Sequence, residues 1–250
     1  MPTLAALPAD LASSVDALRA DLSAIFGTRL RSLVAYGARL FPPTLTARPV
    51  RRLPLNTLAL VDALSLDDLQ ACAARADAWR GTEMAMPLLL SEHEFLRSLD
   101  VFPFEYGDII ARHIVVSGHD PFEGMSPPAD DLRHACERQA KSHLIHLREG
   151  FLETGGRGAD LADLVSASAV PFATLVAHVA RLRGRDDSSV DALVRGIEDV
   201  AGVKRAAARD VLALVPGTRL GNDDGKRIYP DYLATVEALV TYLDAWKQPA

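Results

Sequence analysis

Arginines with no acids between them are the part of this chain best placed to do chemistry. From Asp21 to Asp62 there is no intervening Asp or Glu, and the interval carries Arg29, Arg31, Arg39, Arg48, Arg51 and Arg52. A guanidinium is planar, always charged and able to present two parallel N–H donors, so such a cluster suits phosphate or carboxylate without a metal. In a chain of net charge −6 the interval is a candidate anion site. Its candidate ligand-binding residues are Gly37, Arg39, Arg48, Arg51, Arg52 and Asn56. The competing reading is that these arginines pair with carboxylates from elsewhere or sit solvated, because charge runs are most often surface.

Other constellations carry less. Arg138 and His143 stand at an R-x4-H spacing, which resembles that of HEPN-type RNases, but Arg112 and His119 form a similar pair, and short spacings recur by chance. His143 falls on the apolar stripe of a helix, so a buried, hydrogen-bonded histidine is the favoured reading. Cys136, His143 and His146 suggest zinc by residue type alone, yet a zinc site needs three or four convergent ligands and Cys136 lies two turns from His143. Gly221–Lys226 has neither the alternating ligands of a calcium loop nor the spacing of a phosphate loop, and reads as a polar turn. No G-x-S-x-G is present, so a serine nucleophile has no support. No catalytic residue, metal ligand or cofactor is assigned.

The 250 residues suit two domains of ordinary size, with 49% hydrophobic and 24% charged residues. The acidic balance argues against general nucleic-acid or membrane-surface affinity. No uncharged apolar run approaches the roughly 20 residues that span a bilayer, and the first residues lack a basic start and a long apolar core. A cytoplasmic location is expected, with Cys72 and Cys136 as free buried thiols.

The elements that would position the arginines follow from periodicity. Leu11, Val15, Leu18, Leu22 and Ile25 recur at helical spacing, predicting a helix from Asp10 to Phe26 that Gly27 stops. Strands are expected over Leu30–Tyr36 and Leu55–Val61, separated by a loop rich in proline. Ser65 and Asp68 predict a capped helix to about Arg80, with Leu66, Leu69, Ala73, Ala76 and Trp79 inward. A strand over Met84–Leu90, at an edge because of Pro87, precedes a short helix capped by Ser91 and Glu94. A last strand is expected over Asp108–Ser117. Beyond Pro127-Pro128 everything reads helical: Asp130–Thr154, Asp160–Ala169, Phe172–Leu182 after Pro171, Ser189–Ala201, Lys204–Val215 and Asp231–Trp246. Thr218–Pro230 reads as a loop. The fold class is an α/β sheet domain over residues 1–126 followed by an all-α helical bundle over 127–250.

The strand ending in Gly37-Ala38 and the strand from Leu55 resemble the core of the nucleotidyltransferase fold of kanamycin nucleotidyltransferase and the minimal nucleotidyltransferases. Val116–Phe122, with Gly118, Asp120 and Pro121, resembles the turn that closes that family's catalytic domain. The resemblance implies a sheet domain, a helical substrate-binding domain and a cleft between them. It also implies Gly-Ser and Asp-x-Asp motifs, whereas this sequence has Ala38, Asn56 and Leu58 in the Ser and Asp positions. Carboxylates two apart on a strand share a face and hold divalent metal for transfer; Leu58 cannot do so. The expectation is a non-catalytic nucleotidyltransferase-like protein that binds a nucleotide, another anionic ligand or a protein partner in the cleft, a homodimer included. The alternative is an active transferase with displaced ligands, such as Glu83 with Glu137 or Glu149.

Overall fold

A computed structural model describes residue 7 and residues 9–40, 53–214 and 220–247. By contact the chain divides into two compact units, the first ending at Pro128 and the second beginning at Ala129. The first is an α/β sheet unit and the second is all-α, as the strand and helix patterning anticipates.

The sheet unit opens with α1 (Ala9–Phe26), which buries Leu11, Val15, Leu18, Leu22 and Phe26. Gly27 follows at φ +55, a left-handed position that a side chain would strain. Strand β1 (Leu30–Tyr36) is central and antiparallel to both β2 (Asn56–Val61) and β4 (His113–Gly118). Strand β3 (Leu88–Ser91) pairs parallel with β2 at the edge, giving the order β3-β2-β1-β4. One sheet face packs on α1 through Leu33, Ala35, Ala59 and Val61. The other carries Val34, Leu58 and Leu60, packed against Phe95, Tyr106, Ile109 and Phe122.

Four expectations for this unit change. The helix after Ser65 is two helices, α2 (Leu66–Ala73) and α3 (Ala76–Arg80). Its inward face holds Asp68, Cys72 and Trp79, while Leu66 is 69% and Leu69 43% exposed. The reason is the capping box: Asp68 receives the Ser65 N–H and hydroxyl and the Arg29 guanidinium, which turns that side toward the sheet. The third strand is only four residues long, because Pro87 has no N–H to donate; Met84 contributes just a bridge to Leu55. The short helix α4 (Glu92–Arg97), capped as expected by Ser91 and Glu94, follows directly. Finally, Asp108–Ala111 is helical. Pro103 starts α5 (Pro103–Ala111), and Pro103, Tyr106 and Ile109 bury one side at three-residue spacing, so the strand begins only at His113.

The helical unit contains α6 (Ala129–Thr154), α7 (Gly158–Leu182), α8 (Val190–Ile197), α9 (Arg205–Leu212) and α10 (Asn222–Ala245). Helix α7 is central and packs on the other four. Among the described residues it is the one helix long and apolar enough to cross a membrane, by length and composition only.

Prolines mislead the sequence reading here. Helix α7 runs through Pro171 and α10 through Pro230, where a break and a loop are expected. Each proline removes one hydrogen bond to the carbonyl four residues back, on Ala167 and Lys226 respectively. Pro171, Ala167, Pro230 and Lys226 are all exposed, so both gaps fall on the solvent side of their helices. The first turn of α10 is held by close packing: a Cβ on Gly225 would lie 2.5 Å from the Ala162 nitrogen and 2.8 Å from the Gly158 oxygen. That approach carries Ile228 and Tyr229 into the core.

Candidate functional site at the beta1–beta2 edge

Strand β1 ends at Tyr36, and Gly37 follows at φ +92 with its carbonyl accepting the Leu40 N–H at 3.1 Å. Opposite it, β2 begins with Asn56, in register with Tyr36. A Cβ on Gly37 would lie 2.6 Å from the Asn56 side-chain nitrogen. Glycine is therefore required twice, by backbone conformation and by the neighbouring amide.

Register places Asn56, Tyr36 and His113 side by side across three strands, so their side chains leave the same sheet face. The next row on that face is Leu58, Val34 and Val115. Leu58 is wholly buried under α4 and α5, where Phe95 lies 4.8 Å from Tyr106 and 5.0 Å from Phe122 between ring centroids. Positions 56 and 58 do share a face, and at 58 that face is closed by aromatic packing.

His113 is the polar residue of this row that sequence reasoning did not single out. Its Nδ1 lies 3.0 Å from the Ile109 carbonyl and its Nε2 3.1 Å from Asp120 Oδ1. Asp120 Oδ1 also accepts the Phe122 N–H at 2.9 Å. The imidazole thus ties α5, β4 and the closing turn together. Gly118 in that turn has φ +82, and a Cβ there would strike the Arg31 carbonyl at 2.1 Å. Ser32 Oγ donates to the His119 carbonyl at 2.7 Å, fastening the turn to β1. The Gly-x-Asp-Pro spacing was the available signal for this arrangement.

The arginine cluster is acid-free along the chain but not in space. Arg39 is buried, and its Nη2 donates to Asp10 Oδ2 at 2.7 Å and to Glu83 Oε2 at 2.8 Å. Glu83, a displaced ligand in the active-transferase alternative, is thus bound to a cation. Arg29 grips Asp68 with two donors at 2.9 and 2.6 Å. Those bonds, with the Ser65 donors, hold the Asp68 carboxyl well below the usual range, and Asp68 raises Arg29 in turn. Arg31 pairs with Asp62. All of these acids lie in the sheet unit, not in the helical one. Arg48, Arg51 and Arg52 lie outside the described residues.

In the helical unit the histidine patterns separate. His143 is buried, its Nε2 2.6 Å from the Tyr232 hydroxyl, which donates to Ser168 Oγ at 3.1 Å. Burial, and then the charge of His146, push His143 down to about 4. His146 is exposed and faces Glu149. Cys136 is fully buried, with its thiol pushed up to about 12, and both cysteines are free. Arg138 is exposed on the same helix, so it does not meet His143. Gly221–Lys226 caps and opens α10, with Gly225 filled by the α7 backbone. Among the described residues no group of three or more His, Cys, Asp or Glu is placed to hold a metal ion.

No protein-family model matches the chain, and no curated protein does. A solved structure of similar course is the spectinomycin adenyltransferase from Enterococcus faecialis, determined with ATP and spectinomycin. The two share 11% identity at a TM-score of 0.48, over 91% of this chain and 98% of that one.

Proposed function

We propose that this chain has a nucleotidyltransferase-type fold whose β1–β2 edge binds an anionic ligand, a nucleotide being the first class to test, without metal-assisted transfer. The observation that carries the reading is Leu58. Metal-assisted transfer needs a hard oxygen donor there, and a leucine sealed beneath Phe95, Tyr106 and Phe122 supplies neither donor nor space. Asn56 offers one neutral oxygen, with its amide nitrogen against Gly37. Glu83, the displaced ligand that the alternative reading would recruit, is paired with Arg39.

Three arginines of the interval are already matched to carboxylates. Arg29, Arg31 and Arg39 have acidic partners. Arg48, Arg51 and Arg52, which lie outside the described residues, are the cations to test; they stand 11 to 15 residues after Gly37 and 4 to 8 before Asn56 in the chain. Titration calorimetry with ATP, with and without magnesium, discriminates the alternatives. Metal-independent binding that an Arg51→Ala, Arg52→Ala double variant weakens is the expected result. Tight binding that requires magnesium, with transfer of the nucleoside monophosphate, would overturn the non-catalytic part. Binding undiminished in the double variant, or no binding, removes the anion site.

A further inference from the structure

The exposed stripe of α6 has a charge order that its own helix does not explain. His134, Arg138, Lys141, Ile145, Glu149 and Leu152 follow one another at spacings of three and four and are all exposed. Bases occupy the N-terminal half of this stripe, and Glu149, with Glu153 beside it, occupies the C-terminal half. The last turn of α6 carries no base. The first turn carries Asp130 and Asp131, as the helix dipole favours, so the order from base to acid belongs to the stripe that begins at His134.

Two of these charges lack a partner of their own. Arg138 and Glu153 make no ion pair among the described residues. The nearest acid to Arg138 on its own helix, Glu137, is taken by Arg133 at 2.8 Å and by Lys141. Between the bases and the acids stands Ile145, 52% exposed; Leu152, 78% exposed, lies one heptad further on, between Glu149 and Glu153. The N-terminal half of the stripe lines a shallow groove of about 510 Å³ bounded by His134, Glu137, Arg138, Lys141, Ile145 and His146, with Ser142 between them.

A surface that is basic at one end, acidic at the other and apolar between is complementary to itself under a two-fold axis. We propose that α6 pairs antiparallel with α6 of a second copy of this chain. One register sets Arg138 beside Glu149 of the partner subunit and His134 beside Glu153 of the partner subunit, with Ser142 beside Ile145 of the partner subunit. Each contact then occurs twice, as in any isologous interface. Leu152 covers the aliphatic stem of the partner subunit's Arg138. One helix face on each side is small for a protein interface, so the dimer is weak and concentration-dependent, and its charge pairs make it sensitive to salt.

Sedimentation velocity of the full chain, from a few to several hundred micromolar at low and high salt, tests this. The expected result is a monomer–dimer equilibrium weakened by salt. Arg138→Glu and Glu149→Arg each turn two attractions into repulsions and should raise the dissociation constant by at least about tenfold. The double charge swap restores the pairing and should recover most of the loss, which a merely disturbed fold would not do. All of these positions are exposed, so unchanged circular dichroism is expected in every variant. A chain that stays monomeric throughout the range overturns the proposal. A dimer indifferent to Arg138→Glu, or one whose loss the double swap does not repair, overturns it as well.

Discussion

Replacing His143 with leucine should alter how this protein responds to acid far more than it alters stability at neutral pH. His143 is buried between Tyr232 of α10 and Phe172 of α7, with ring centroids 6.0 Å from each. Its environment holds the ring to about 4, against an ordinary value of 6.5. The sign follows from linkage: an unfolded chain binds this proton below 6.5, whereas the native chain refuses it until about 4. The contribution is therefore complete above about pH 6.5 and is lost progressively as pH falls to about 4. A depression of that size, at 1.36 kcal/mol per pKa unit, corresponds to about 3 kcal/mol. At neutral pH the leucine variant forfeits the bond to the Tyr232 hydroxyl, about 1 kcal/mol, but keeps the apolar volume. Tyr232 retains Ser168 as its acceptor. Urea unfolding followed by far-UV circular dichroism at pH 7, 5.5 and 4 measures both chains, and NMR titration of the imidazole reads the ring directly. The reasoning is refuted if wild type and His143→Leu lose stability in parallel, or if the ring titrates at its ordinary value.

Two further outcomes follow from the packing. Gly225→Ala puts a methyl group within 2.5 Å of the Ala162 nitrogen, so α7 and α10 must separate. Thermal unfolding should show a loss of roughly 1–3 kcal/mol or more, well beyond the gain in helix propensity. Leu58→Asp, which puts an acid at the second position of the Asp-x-Asp spacing, should give no magnesium-dependent nucleotide binding. It buries a carboxylate among Phe95, Tyr106 and Phe122 and should destabilise the sheet unit by roughly 4 kcal/mol or more, measured by chemical unfolding.

Local chemistry was legible where it acts locally. The β1 strand, both capping boxes and the glycine stop after α1 all follow from residue type and spacing. Where the reading departed from the structure, a distant contact had decided. Ile109 and Ile110 have strand propensity, yet Pro103 and the aromatic cluster over Leu58 make their segment helical. Pro171 and Pro230 look like breaks, but each faces solvent on a helix otherwise anchored in the core. Local propensities of about 1 kcal/mol per residue yield to burial of several apolar side chains.

The arginine interval marks the same division most clearly. That residues 22–61 contain no acid, that Gly37 ends a strand, and that Asn56 and Leu58 occupy adjacent same-face positions are properties of the sequence alone. Which acids meet those arginines is not, because Asp10, Asp62, Asp68 and Glu83 reach them only after α1, α2 and the strands have packed. Charge pairing depends on distance through space, and sequence order carries little of it. Burial of Leu58 is of the same kind: alternation assigns its face, and only the docking of α4 and α5 closes that face.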